Sequence, residues 1–316
     1  MQAPRIKKVA VVRPPVLQCG AKRSAPEATD VRPAFAAPTR RRSNARRRTE
    51  RQANGDGAAG TAPGSILSAP QNGQQPYGRR ATDRAPIILD VRRFAQPDDE
   101  TCGPTCLAQV YRYYGHQKGL RDVIRDVPRN PDGGTLGVYL GTSALRDGFN
   151  AWIYSYNLRV FDPTWHRLGP AVLLRKLRKR VAAVESVRLR RTLEAYVEFL
   201  ELGGKVVFRE FSKKLLVGLL DRGRPILCGL SATYLYRSKR EFQNRFDDVR
   251  GTPVGHFVVI CGYYPRSDRF MVRDPSSHIP FSRSGRYSVD AERLVAAILL
   301  GDVTYDADLL VLAKKR

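Results

Sequence analysis

The segment Gln96-Pro-Asp-Asp-Glu-Thr-Cys102-Gly103-Pro104-Thr105-Cys106-Leu107 gathers the residue types that acyl-transfer chemistry needs. A helix is expected inside it, over residues 102–114, because Leu107, Val110, Tyr111 and Tyr114 fall at i, i+3, i+4 and i+7. Pro104 suits its first turn and Gly115 its stop. A cysteine at a helix N-terminus meets unpaired backbone N–H groups and the positive end of the helix dipole, and both favour thiolate over thiol. Cys102 is therefore a candidate nucleophile. Gln96, six residues upstream, can aim its side-chain amide at the same spot. With the Cys102 backbone N–H it would hold the oxyanion of a tetrahedral intermediate.

A nucleophilic thiol needs a base, and the chain has four histidines: His116, His166, His256 and His278. His256 is the best candidate because it opens the apolar run 255–264, where a buried strand would hold its ring rigidly while its end faces a cleft. His116, His166 and His278 read as structural. After a turn at 265–268, the strand 269–273 ends at Asp274, which could orient the imidazole and stabilise its charge. Side-chain parity tests this pairing. In an antiparallel hairpin a two- or four-residue loop would put His256 and Asp274 on opposite faces, whereas a three- or five-residue loop or a bulge puts them on the same face. One of the latter is expected.

These segments together resemble a known family. Gln96, then Cys102-Gly103-Pro104-Thr105-Cys106-Leu107-Ala108 and Tyr113-Tyr114-Gly115, followed late by His256-Phe257-Val258-Val259 and Asp274-Pro275, are similar to the bacteriocin-leader-processing (double-glycine) cysteine peptidases and their stand-alone relatives in the papain-like clan. The resemblance runs over about residues 87–274. It implies Cys102 as nucleophile, His256 as base and later acid, Asp274 as orienter and Gln96 as oxyanion donor. It also implies an α+β, papain-like fold, with a helical half and an antiparallel sheet half, and a peptide or protein substrate. Transporter-linked members carry membrane spans and an ATPase; with no run of about 18 apolar residues here, the free-standing branch is expected.

The elements that must position these residues follow from periodicity. Further helices are expected at 136–146, 171–183, 188–202 and 212–221, and strands at 87–91, 225–231, 256–264, 269–273 and 308–312. A last helix at 289–300 is expected to open on the capping residue Ser288. The helical stretch 161–205 reads as an insertion that could shape a cleft or bind a partner. Gly133-Gly134 and Gly203-Gly204 read as turns or helix ends.

Charge and composition bound the alternatives. The 316 residues carry 55 Lys and Arg against 30 Asp and Glu, a formal net charge of +25. Residues 1–85 read as a disordered Ala-, Pro- and Arg-rich tail, and 86–316 as the peptidase domain. The run Arg40 to Arg42 with Arg46 to Arg48 could touch nucleic acid or an anionic membrane. Yet 43 Arg against 12 Lys chain-wide makes the bias global, which favours a solvated tail. Five cysteines are too few for a secreted disulfide framework, so reduced thiols and a bacterial cytoplasm are expected, with Cys106, Cys228 and Cys261 inert. A zinc site on Cys102 and Cys106 lacks a second close-spaced pair, and no metal or organic cofactor is implied. The expected activity is peptide-bond hydrolysis through a thioester. Its competitors are acyl transfer on the same residues and a binding protein that uses the basic tail.

Overall fold

The computed structural model describes residues 84–315 apart from 132, 156, 244 and 302–306; the expectation for the tail at 1–85 lies almost wholly outside these residues. The described chain opens with β1 (Ile87–Ile88), α1 (Cys102–Tyr113), α2 (Leu120–Asp126), α3 (Gly137–Arg146) and β2 (Phe149–Ser155). A short 3-10 turn at Pro163–Arg167 leads to α4 (Pro170–Ala183) and α5 (Val187–Glu201). Then come β3 (Lys205–Val207), α6 (Lys213–Leu220), β4 (Ile226–Ser231), α7 (Ala232–Tyr236) and a ribbon of β5 (Glu241–Phe242) and β6 (Arg245–Phe246). The chain finishes with β7 (Gly255–Tyr264), β8 (Arg269–Arg273), β9 (Arg286–Asp290), α8 (Ala291–Leu299) and β10 (Asp308–Lys314).

Eight strands form the main sheet in the order β3-β2-β10-β4-β7-β8-β9, with β1 added to β7, and β5 and β6 pair separately. Among the described residues only β2 and β3 pair in parallel. Both faces are covered, which explains why the central strands read as unbroken apolar runs rather than alternations. In β7, Val258 and Ile260 enter one core, while Phe257, Val259 and Cys261 enter the other. β10 divides likewise, Leu309 and Val311 against Leu310 and Leu312. The core of Phe257 and Leu310 is closed by α1 to α5, that of Val258 and Leu309 by α6, α7 and α8. The insertion is thus α4 and α5, which pack on each other, and α5 lies on α3.

Two departures from the sequence expectations have local causes. Ser288 does not cap the last helix: it lies within β9, paired with Met271, and Asp290 does the capping. Its Oδ1 accepts from the backbone N–H of Glu292 at 3.1 Å and of Arg293 at 3.2 Å. The strands β2 and β9 were not expected. Each is fixed by its neighbours, β2 by seven pairs with β10 and β9 by five pairs with β8.

Helix α1 is buried along nearly its whole length, from Gly103 to Tyr111. The Cys106 thiol donates to the carbonyl of Phe257 at 3.2 Å, pinning the helix to β7 one residue past His256. Gly103 permits this close seat. A Cβ there would lie 2.6 Å from Thr135 Cγ2 and 3.2 Å from both Leu140 and Phe257 side-chain carbons. Gly103→Ala is therefore an overpacking change in a filled core, and urea unfolding should show a loss of about 1–3 kcal/mol.

Candidate active site

Cys102 is the first residue of α1 and is half-buried. The residue before it, Thr101, does not cap the helix with its side chain; its hydroxyl donates instead to the carbonyl of Asp98 at 3.2 Å. No acidic residue occupies the first turn. The positive end of α1 is thus turned toward the sulfur without a competing side-chain acceptor.

His256 is the second residue of β7 and is 8% exposed. Its Nε2 donates to Asp274 Oδ1 at 2.9 Å. With Nε2 committed, Nδ1 is the ring nitrogen left for a thiol, and Cys102 is close enough to act electrostatically on the imidazole. Thiol, imidazole and carboxylate are therefore neighbours in one line of action.

The parity that this line needs comes from a bulge. The β7–β8 turn has four residues, 265–268, and Tyr264 opposite Arg269; on its own it would turn Asp274 away from His256. The register then shifts between Ile260 and Gly262, leaving Cys261 as the extra residue, and Ile260 pairs with Val272. Past the shift, even-numbered residues of β7 face even-numbered residues of β8 and beyond, which puts His256 and Asp274 on one face. The carbonyl of Cys261 is taken by the Leu89 N–H at 2.8 Å. Gly262 is required beside it, since a Cβ there would lie 2.6 Å from the Ile87 carbonyl oxygen.

Asp274 has no exposed surface, and four donors surround its carboxylate. Oδ1 takes the His256 Nε2–H and the Ser276 backbone N–H, the latter at 3.0 Å. Oδ2 takes the hydroxyl of Tyr236 at 2.6 Å and that of Tyr287 at 2.8 Å. Arg93 fastens the backbone behind it, donating to the carbonyls of Asp274, Pro275 and Ser276 at 3.0, 3.1 and 2.8 Å. The Gln96 N–H adds a bond to the Pro275 carbonyl at 2.9 Å, so the loop before the cysteine and the loop after the aspartate are tied together.

The electrostatics follow from these contacts. Burial opposes the charged imidazolium, but the charge of Asp274, its hydrogen bond and Cys102 outweigh it and push His256 up to about 10. Burial likewise opposes an ionised Asp274, and the His256 charge with the bonds from His256, Tyr236 and Tyr287 holds the carboxyl below its usual range. Burial and then the neighbouring Asp274 charge raise both tyrosines, which therefore stay protonated as donors. The Cys106 thiol is raised by burial, as are Cys228 and Cys261.

Gln96 lies in the same cleft of about 420 Å³ as His256, Tyr236 and Ser276. Its Nε2 donates to the Asp98 carbonyl at 2.8 Å, and its Oε1 is buried without a hydrogen-bond partner among the described residues. His278 also lines this cleft, although its sequence context read as structural. His116 and His166 lie elsewhere: His116 Nδ1 accepts from the Lys118 N–H, and His166 Nδ1 meets the Pro163 carbonyl. The contributors that sequence reading missed are Arg93, Tyr236, Ser276 and Tyr287. Tyr287 pairs with Val272, two residues before Asp274, so recognising β9 would have found it.

Comparison with known proteins places these features. Residues 179–294 match the model of the Peptidase C39 like family, a span that holds His256 and Asp274 and stops short of α1. No curated protein matches the chain. Among solved structures, a protein described as a C39-like peptidase from Bacillus anthracis is 14% identical, with 73% of this chain and 99% of that one covered at a TM-score of 0.41. The peptidase domain of Streptococcus ComA is 12% identical, with 71% and 99% covered at 0.38. Xylellain, a cysteine protease from Xylella fastidiosa, is 14% identical, with 73% and 86% covered at 0.35. No described helix is long and apolar enough to cross a membrane. Over residues 179–294 the chain is similar to the Peptidase C39 like family, and its fold is a mixed α+β one.

Proposed function

We infer that residues 86–316 form a cysteine peptidase that cleaves a peptide bond of a peptide or protein through a thioester acyl-enzyme. The observation that supports it most is the 2.9 Å bond from His256 Nε2 to Asp274, which leaves Nδ1 available to Cys102, a helix-N-terminal thiol that acts electrostatically on the same imidazole. In this reading the proton shared by Cys102 and His256 rests on the imidazole, which keeps it up to about pH 10, and the thiolate sulfur attacks the substrate carbonyl carbon. The C=O π pair moves to oxygen, giving a tetrahedral oxyanion. That oxygen meets the Cys102 backbone N–H and the second amide hydrogen of Gln96, the first being held by Asp98. His256 then returns the proton to the leaving amine and the C–N bond breaks. Water, deprotonated by His256, releases the acid and restores the thiol. An amine acceptor in place of water would make the same residues an acyl transferase, and product analysis with and without added amine separates the two.

Labelling with an electrophilic thiol probe at pH 6 to 7 tests the assignment, because an ordinary cysteine with a pKa of about 8.5 is nearly all thiol there. Cys102 should react fast, Cys102→Ala should abolish the signal, His256→Ala should reduce it sharply, and Cys106→Ala should leave it. Equal labelling of wild type and His256→Ala would sink the reading. Gln96→Ala should keep labelling intact while lowering turnover of a cleaved peptide by about 10²- to 10³-fold, the cost of one oxyanion donor. Turnover should also persist well above the ordinary histidine range and fall as pH rises through about 10, where His256 loses the proton it must deliver.

A further inference from the structure

Asp274 is the strangest charge in the molecule. It is fully buried, its Oδ1 is given to His256 and Ser276, and its Oδ2 faces two phenol hydroxyls from unrelated elements. Tyr236 is the last residue of α7, and Arg237 follows in the left-handed region at φ 53°, which ends the helix there. Tyr287 comes from β9 on the other side. Phe281 stacks edge-on against both rings, with centroids 5.9 Å from Tyr236 and 5.0 Å from Tyr287. The Tyr236 ring in turn lies 6.2 Å from the His256 ring.

We propose that Tyr236 and Tyr287 are positioning residues of the catalytic line: by donating to Oδ2 they keep Asp274 anionic and unrotated, and so set the pH range over which His256 carries its proton. This deepens the peptidase reading and rests on it for its functional meaning. The chemistry is that of a carboxylate saturated by donors. Each hydroxyl stabilises the charged form only, since a protonated carboxyl would leave at least one phenol competing for an acceptor. Both oxygens are then fixed, Oδ1 stays aimed at Nε2, and the tautomer with its proton on Nε2 is enforced. The serine N–H alone could not do this, because it leaves Oδ2 empty. The other titratable and charged groups facing this pair are Cys102 and Cys106 from α1 and Arg93 behind the Asp274 backbone. Asp99, Glu241 and His278 line the adjoining cleft. None of these donates to Oδ2.

The sign is fixed by linkage. Loss of a donor leaves the Asp274 charge less shared, so its carboxylate, still ionised, becomes a more basic acceptor and raises His256. The test is an NMR titration of ring-labelled histidine in the full chain, with the His256 signal assigned by its absence in His256→Ala. Tyr236→Phe and Tyr287→Phe keep ring and packing. Each should raise the His256 midpoint, by about one unit for loss of a hydrogen bond to a charged group, and the double variant should raise it further. On an Asp274→Asn background the same changes should produce no additional shift. Midpoints unchanged in both single variants and in the double, whatever happens to thermal stability, would overturn the proposal and leave the tyrosines as packing. Because they come from separate elements, misfolding of one variant leaves the other to decide. Thiol labelling of wild type runs in parallel. A raised midpoint without enhanced Cys102 reactivity upholds this proposal and defeats the peptidase reading, whereas enhanced reactivity with unmoved midpoints does the reverse.

Discussion

A carboxylate taken wholly out of water costs on the order of several kcal/mol unless its charge is met by well-placed donors and a counter-charge. Asp274 is such a group, and much of the surrounding architecture answers that demand. β8 ends just before it, the following turn offers the Ser276 N–H, β9 supplies Tyr287, and α7 stops as soon as Tyr236 has been delivered. Arg93 consumes three carbonyls of the same turn and prevents the backbone from relaxing away. With so many partners the aspartate has one orientation, and the histidine bonded to it inherits that orientation.

The thiol side is arranged differently. Cys102 is positioned by apolar packing of α1 rather than by a polar network, with Cys106 donating to the Phe257 carbonyl as a lateral pin. The two halves of the site thus rest on different physics. A helix seated by dispersion and volume meets a sheet end held by hydrogen bonds and charge. They touch where both are rigid, and the loop carrying Gln96 bridges them through its N–H to the Pro275 carbonyl.

Much of this was legible in the sequence where a signal is local. The 3.6-residue spacing in 102–114, 171–183 and 188–202 and the unbroken apolar runs of β7 and β10 stand out because burial dictates them residue by residue. Cys102, Gln96, His256 and Asp274 stand out because their residue types and spacing fit one chemistry. β2 and β9 did not stand out: both alternate weakly and are strands because neighbours offer a ladder, which is tertiary information. The two tyrosines were invisible for the same reason. Nothing within a few residues of Tyr236 or Tyr287 marks a phenol that must reach a carboxylate 38 or 13 positions away. Ser288 misled because a capping residue type was read without knowing that a strand ran through it.

The register shift at Cys261 separates what the hairpin tip does from what the site requires. Residues 265–268 close the turn, but the phase of the strands at the imidazole end is reset at Cys261, four positions before the turn opens, with Leu89 taking up the carbonyl that the shift leaves over. The tip can therefore lengthen or shorten over evolutionary time with Tyr264 still opposite Arg269 and nothing changed at the imidazole. Excision of a single residue at the shift would instead rotate the aspartate into the opposite core while leaving Cys102, His256 and Asp274 all present in the sequence. Homologous chains that keep all the right letters but lose that one position would lack the bond between imidazole and carboxylate.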